Sequence, residues 1–391
     1  MRILVLSPVV PDAPTDGDKL RLYHVLKELG KRHRLTLLAF GDSRADLSEL
    51  ARFVDETQVL PMPRARQWMN IFSRAFFSAP ANINAYASDA MRAKVDALLA
   101  TGKFDAVFCY RLRMVPYALR AKLPRVLDCT DSLTLYWERM AAGASGLKKA
   151  AFQKEAEKIA AYEAWAAGQF DAVFMNSRQD ANALRGMAPF AKVEVASNGA
   201  DFERLKPFTG TKGARRDPDR ILFIGNLAYA PNASGVLWFY HEVFPRILRQ
   251  RPKAKFVVVG GHAPQSLRPL ENDPRVEMTG FAQDRNPLLN AAGLSVCPVH
   301  LAAGRQNKIL DAFATATPVV ATSLTAQGVE ATPGRQLLVA DSAEAFAKES
   351  LRVLSSPVLA RRLGRAGYKF VQQRYHWASS ARIIERAMRV S

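Results

Sequence analysis

The sequence predicts an α/β protein built from two doubly wound parallel sheets that face each other across a cleft. Three observations predict it. Short β-rich runs alternate with longer helical patterns along the chain, as parallel strands joined by crossover helices require. The alternation breaks at 205–220, where Pro207, Gly210, Gly213 and Pro218 stand among Lys206, Lys212, Arg215 and Arg216; this reads as a solvated linker. At 391 residues, the chain also exceeds the roughly 250–300 residues at which one core stops growing. The expected organisation is a first domain over 1–205, a second over 206–370, and a final helix within 371–391 that crosses back to the first.

Taken in order, the first domain opens with the apolar run 3–7, a buried strand. Residues 19–31 place Leu20, Tyr23, Leu26 and Gly30 on one helical face. Strands are expected at 34–40, 57–60, 105–109, 125–129, 171–176 and 192–196, with helical patterns between them, notably 149–168. After the linker the alternation restarts with a strand at 221–224, a helix at 232–250, and a strand at 255–259 that ends in Gly260-Gly261. Short strands follow at 276–279, 294–297 and 318–321. Sheets of this kind bind ligands beyond the carboxyl ends of their strands, and a cleft between domains is a common ligand site.

Composition excludes several classes. Hydrophobic content of 49% and charged content of 23% are globular, not disordered. Cys109, Cys129 and Cys297 form no C-x-x-C pair, so neither a disulfide framework nor a structural zinc site is expected. The first apolar run is too short for a signal-peptide core, and no stretch approaches the ~18–20 apolar residues that span a bilayer. The expected location is the cytoplasm. A net charge of +19 predicts attraction to something anionic: nucleic acid, lipid headgroups or phosphorylated ligands.

The most informative segment is Gly304-Arg305-Gln306-Asn307-Lys308-Ile309-Leu310-Asp311. It follows the strand at 294–297 and opens a helix, whose free N–H groups suit a diphosphate. Arg305 and Lys308 sit one turn apart and add two cations. Asp311, a turn further on, could accept both hydroxyls of a ribose. An amphipathic helix with a surface Lys–Asp pair would look the same. His300, just upstream, is expected to face the cleft; the other five histidines are scattered, with no metal-binding spacing.

Three further loops leave strand ends. The first runs from Pro8 to Lys19, where Gly17 permits close approach of a ligand. The second is Gly225-Asn226 through Pro231-Asn232, whose two asparagines could donate to phosphate or sugar oxygens, or cap the helix. The third is Asp128-Cys129-Thr130-Asp131-Ser132, where the carboxylates could bind acceptor hydroxyls or act as a base, or Asp131 or Ser132 could cap the next helix. Residues 64–77 group Trp68, Met69, Phe72, Ala75 and Phe76 on one helical side and Arg66, Asn70, Ser73 and Arg74 on the other. That pattern suits a membrane surface or a helix packed on its own core.

Together these segments resemble family-4 glycosyltransferases of the GT-B fold, with two Rossmann-like domains, and more narrowly the bacterial sugar transferases of exopolysaccharide clusters. In the first half the resemblance lies in the Pro-rich first loop with Gly17-Asp18-x-x-Arg21, Asn176-Ser177, and Ser197-Asn198-Gly199-Ala200-Asp201. In the second it lies in Phe223-Ile224-Gly225-Asn226, Pro231-Asn232, Val259-Gly260, Thr279-Gly280-Phe281 with Asp284, Gln306 through Ala312, and Pro318-Val319-Val320-Ala321-Thr322. It implies a retaining, metal-independent, cofactor-free transfer from a nucleoside-diphosphate sugar to a sugar or lipid-linked acceptor. The first domain would bind the acceptor, through Asp128 and Arg111, and the second the donor. Lys308, with Arg305, would contact the diphosphate, Asp311 the ribose and Phe281 the base; Gly17 would lie beside the phosphates; Gly225, Asn226, Asn232, His300 and Gly304 would complete the donor site. Asp131 is the candidate base. No protein nucleophile is needed, so stabilising the departing phosphate would be the main catalytic effect.

The chain departs from the family in three places. The family's two glutamates, eight residues apart, fall at Ala303 and Asp311. Its Arg and Lys near the second domain's first loop are replaced by Asn226 and Asn232, so Arg305 is expected to supply positive charge. Tyr110 and Arg111 stand where a histidine is common. Of the rival readings, a GT-B sugar-nucleotide epimerase would share the fold but need acids and bases that the sequence does not place. A nucleic-acid-binding protein would answer the charge, but no recognition module occurs. A dehydrogenase would need G-x-G-x-x-G in the first turn. The expected partners are a nucleotide-sugar donor, its acceptor and an anionic membrane at the inner face of the cytoplasmic membrane, not nucleic acid.

Overall fold

The computed structural model describes residues 1–12, 17–42, 44–73, 79–208, 216–301 and 306–389, with backbone alone at 17 and 18. The chain divides into two compact units: Met1–Asn198 together with Trp377–Ser391, and Gly199–His376.

The first unit carries β1 (Arg2–Ser7), β2 (Arg34–Phe40), β3 (Glu56–Leu60), β4 (Ala106–Tyr110), β5 (Arg125–Thr130), β6 (Ala172–Met175) and β7 (Val193–Val195). They form one parallel sheet in the order β3-β2-β1-β4-β5-β6-β7. Its central strands are covered on both faces, which is why they read as unbroken apolar runs. Leu35, Phe108 and Phe174 fill one face, and Leu4, Val107 and Met175 the other. The last helix, Trp377–Arg389, belongs to this unit. The Trp377 ring stacks on His24 at 4.8 Å, and Glu385 binds Arg32 at 2.6 Å and His33 at 3.1 Å.

The second unit repeats the plan with β8 (Asp217–Ile224), β9 (Lys255–Val259), β10 (Val276–Gly280), β11 (Ala292–Cys297), β12 (Val319–Ala321) and β13 (Leu338–Val339), in the order β10-β9-β8-β11-β12-β13. In both sheets the strand order reverses beside the first strand, between β1 and β4 and between β8 and β11. That switch point is where doubly wound sheets bind ligands. The helix after β8 runs from Ala230–Trp238 through a π-turn at Phe239–Val243 into Phe244–Leu248. The wider turn accommodates Pro245, which has no N–H to continue an α-ladder.

β8 starts at Asp217, inside the segment expected to be linker. Arg216 explains why: its Nη1 donates to Leu289 O, Asn290 O, Ala292 O and Thr317 Oγ1, and its Nη2 to Thr315 O at 2.6 Å. These carbonyls lie at the C-terminal ends of helices Asn286–Ala291 and Asn307–Ala314, where partial negative charge stabilises a cation. Burial brings the guanidinium pKa down to about 10.

Candidate functional site

In the second unit the candidate residues converge on the switch point. Helix Asn307–Ala314 follows β11, and Lys308 in its first turn reaches back to the first turn of the helix after β8. Its ammonium donates to Asn232 Oδ1 at 2.8 Å and to Gln306 Oε1 at 3.0 Å, and lies 5.2 Å from the centre of the Phe223 ring. A cation over an aromatic face is held electrostatically. Burial lowers the Lys308 pKa; nearby Cys297 and Asp311 oppose it. Two of the three ammonium hydrogens are committed within the unit. Asn232 is itself fixed, since its Nδ2 donates to Asn226 O at 2.8 Å. Asn232 thus orients the lysine and ties down the loop, an arrangement different from the expected direct donation to a ligand.

The glycines here are required by crowding. A Cβ at Gly225 would stand 2.9 Å from Asn232 Nδ2 and 3.3 Å from Lys308 Cε, and one at Gly260 only 2.0 Å from Gly225 O. Asn226 is exposed and closes an Asx turn, accepting from Ala228 N at 3.0 Å.

Asp311 is buried and pairs with Arg285 Nη1 at 2.9 Å. Burial raises its pKa, Arg285 pulls it down, Asp201 pushes it up, and Lys308 pulls it down. Arg285 is the residue that sequence reasoning missed. It stands 26 positions before Asp311 (311 − 285), beyond the carboxyl end of β10, and no local spacing connects the two. Phe281, in the same loop, exposes its ring to 58%. His300 is exposed and meets the Trp238 ring edge-on at 4.4 Å; burial lowers its pKa against the pull of Asp341. Gly304 and Arg305 lie outside the described residues, as do residues 13–16 before Gly17, which begins helix Gly17–Gly30 after β1.

In the first unit, strain marks the carboxyl ends of β4 and β5. Arg111 has φ 70 and ψ 147, and Thr130 has φ 68. Such conformations cost about 1–3 kcal/mol each for residues other than glycine and cluster at functional sites. Arg111 Nη1 donates to Cys129 O at 3.2 Å and stands 4.0 Å from Asp131 Oδ2. Ser132, not Asp131, caps the next helix, accepting from Leu135 N.

Asp128 departs from its expected role at the acceptor. It is fully buried. Its Oδ2 accepts from Arg21 Nε at 2.8 Å, and its Oδ1 from Thr130 N at 3.0 Å and from Thr130 Oγ1. Arg21, equally buried, also donates to Ala196 O and Asn198 Oδ1. With both oxygens engaged inside the core, Asp128 anchors the sheet; Arg111 and Asp131 at this edge are partly open to solvent.

Comparison with known proteins follows the same division. Residues 218–356 match the family described as Glycosyl transferases group 1. An uncharacterized 44.6 kDa protein in the cps region of Klebsiella pneumoniae is 24% identical over 174 residues, which is 40% of this chain and 42% of that protein. The match thus spans less than half the length of that relative. Among solved structures, sucrose-phosphate synthase from Thermosynechococcus elongatus superposes with a TM-score of 0.73 at 15% identity, covering 100% of this chain and 98% of that one. Anabaena HepE, solved with UDP and glucose, gives 0.68 at 14% identity over 99% of each chain. S. aureus TarM, solved with UDP among its ligands, gives 0.72 at 10% identity over 99% of this chain and 100% of that one. At such identities these are likenesses of fold, and the fold is GT-B.

Proposed function

We propose, from the match of residues 218–356 to the group 1 glycosyl transferases within a GT-B fold, that this chain transfers a sugar from a nucleoside-diphosphate sugar to a glycan or lipid-linked acceptor. The observation that carries the reading is the Lys308 ammonium, held by Asn232 and Gln306 at the switch point of the second sheet. A cation fixed before substrate arrives stabilises charge as it develops on a departing diphosphate, without reorganisation. HepE and TarM, solved with UDP, support a nucleotide donor.

In this reading the bond from the anomeric carbon to the diphosphate oxygen breaks while the acceptor oxygen bonds to that carbon. The charge left on the diphosphate is met by Lys308 and, where it reaches, Arg305. Asp311 accepts the ribose hydroxyls, Phe281 stacks on the base, and His300, Asn226 and the glycines at 17, 225 and 304 shape the rest of the donor site. Arg111 and Asp131 in the first unit hold the acceptor, and Asp131 takes its proton. The transfer is retaining and uses neither metal nor cofactor. The cps-region relative supports a place in bacterial polysaccharide synthesis.

The test is transfer itself. Purified protein is incubated with UDP-, GDP-, ADP- and TDP-sugars and candidate acceptors, with and without EDTA. Sugar on the acceptor, undiminished by chelation and lost in Lys308→Met, supports the reading. Epimerised donor with no acceptor product would replace it.

A further inference from the structure

Helix Arg64–Ser73 is turned inside out. Its partly buried side is made by Gln67, Asn70 and Ile71, whereas Trp68, Met69 and Phe72 are 61%, 64% and 73% exposed. The polar side is what fixes it. Asn70 Nδ2 donates to Ala85 O at 3.0 Å and Ala87 O at 2.9 Å, and Gln67 Nε2 to Met62 O. A surface helix that served only its own core would bury the opposite face. Arg64 and Arg66 are also exposed, and the helix contains no acidic residue.

A second element flanks it. Helix Gly146–Ala167 carries Glu155, whose Oε1 accepts from Ala81 N at 3.1 Å, next to the turn that holds Asn70. Further along, Glu163 accepts from Leu133 N at 2.8 Å, just past the carboxyl end of β5. Gln169 O accepts from Arg125 Nε at 2.8 Å, at the amino end of that strand. The helix therefore descends along the sheet, and the part before Glu163 projects beyond the carboxyl ends. Its tip at Leu147 lies about 24 Å along the helix from Glu163, at 1.5 Å per residue. There Leu147 is 92% exposed, beside exposed Lys148, Lys149 and Lys154, with no acid between 146 and 154.

We propose that helix Arg64–Ser73 and the tip at Leu147 form a docking surface for an anionic phospholipid bilayer. The match is chemical: large apolar side chains ringed by cations, on a chain of net charge +19. No helix among the described residues is long and apolar enough to cross a membrane, so this contact lies on the surface. Both elements leave the carboxyl side of the first sheet, where Arg111 and Asp131 stand. Docking would hold that edge at the bilayer, which favours a lipid-linked acceptor; this last step rests on the transfer reading, whereas the docking does not.

The full chain is sedimented with vesicles of phosphatidylcholine alone and of phosphatidylcholine with phosphatidylglycerol. Binding is expected with phosphatidylglycerol only, and weakens with salt as screening shortens. Trp68→Ser with Phe72→Ser should lower it at least tenfold, and Lys148→Glu with Lys149→Glu should lower it as well. Phe190→Ser, at a side chain more exposed than either but before the amino end of β7, should leave it unchanged. As a second measure, brominated lipid should quench the native fluorescence, and Trp68→Phe should reduce that quenching, leaving the part due to Trp137, which packs on Phe152 at the tip. Lys308→Met should bind vesicles like the native chain, so docking and transfer fail separately. Absence of binding to phosphatidylglycerol vesicles, binding indifferent to the Trp68 and Phe72 changes, or a dimer dissociated by those changes without lipid binding would each overturn the proposal.

Discussion

The ammonium of Lys308 and the side-chain oxygen of Asn232 lie 2.8 Å apart although 76 positions separate them in the chain. The contact joins the first turn of the helix after β11 to the first turn of the helix after β8, the two segments that flank the switch point. Asn232 is thereby a positioning residue, acting through the lysine. Asn232→Ala should lower kcat/KM by about tenfold, or ~1.4 kcal/mol, and Lys308→Met by about 100-fold or more. In the Lys308→Met background, Asn232→Ala should add little, because the two act as a unit. Additive losses in the double-mutant cycle would separate them. Because burial lowers the Lys308 pKa below its ordinary 10.5, donor affinity of the native chain should fall on the alkaline side before an ordinary lysine would titrate.

At Arg111 the backbone and the side chain can be tested apart. Arg111→Ala and Arg111→Gly remove the same guanidinium and its bond to Cys129 O. Only glycine adopts φ 70 without strain. Arg111→Gly should therefore be more stable than Arg111→Ala by about 1 kcal/mol in urea unfolding, while both lose acceptor binding. Equal stability would mean that the strain has relaxed in solution.

Arg216 predicts a loss of stability without a loss of chemistry. Arg216→Met takes the guanidinium away from the carbonyls of Asn290, Ala292 and Thr315, while Leu289 O keeps the Thr317 hydroxyl. Unsatisfied buried acceptors cost roughly 1–3 kcal/mol each, less what water recovers. The second unit should unfold at clearly lower urea, with donor KM unchanged in the folded fraction. An unshifted midpoint would show that Arg216 is dispensable.

Glu163 carries a pH signature. Its carboxylate is buried, and burial raises its pKa above 4.5 despite bonds from Thr134, Leu133 and Ser132. The folded state then binds its proton more readily than the unfolded state. Its contribution is complete below about pH 4.5 and is lost as pH rises through the raised folded value. Native stability relative to Glu163→Gln should therefore grow as pH falls through that mildly acidic window. A flat difference would place the folded pKa at its ordinary value.

These cases show why some of the molecule was legible in sequence and some was not. Strands such as β2 and β9 are buried on both faces and read as apolar runs; β13 has two residues, too few for any pattern. Lys308 and Asn232 stood out because each follows a strand and starts a helix. Arg21 and Asp128, 107 positions apart, could not be paired that way, so a carboxylate at a strand end looked like a ligand-binding group when its charge was already met. Periodicity over 64–73 separated two faces, but only Asn70's bonds to Ala85 and Ala87 decide which one turns inward.

The relation of Arg285 to Asp311 gives the last prediction. Burial raises the Asp311 pKa, and Arg285, 2.9 Å away, works against that rise. Ribose hydroxyls donate to an ionised carboxylate better than to a protonated one, so binding the donor favours the charged form. Donor affinity should then weaken as pH falls through the raised pKa of Asp311, giving an acid limb above the ordinary aspartate range. Arg285→Gln removes the opposing charge and should move that limb to higher pH. Asp311→Asn, which cannot titrate, should bind more weakly at neutral pH and show no limb from this residue. Titrating donor against each variant by calorimetry from mildly acid to neutral pH separates these outcomes. A limb unmoved by Arg285→Gln, or retained in Asp311→Asn, would assign the titration to another group and leave Asp311 as a packing residue of its helix.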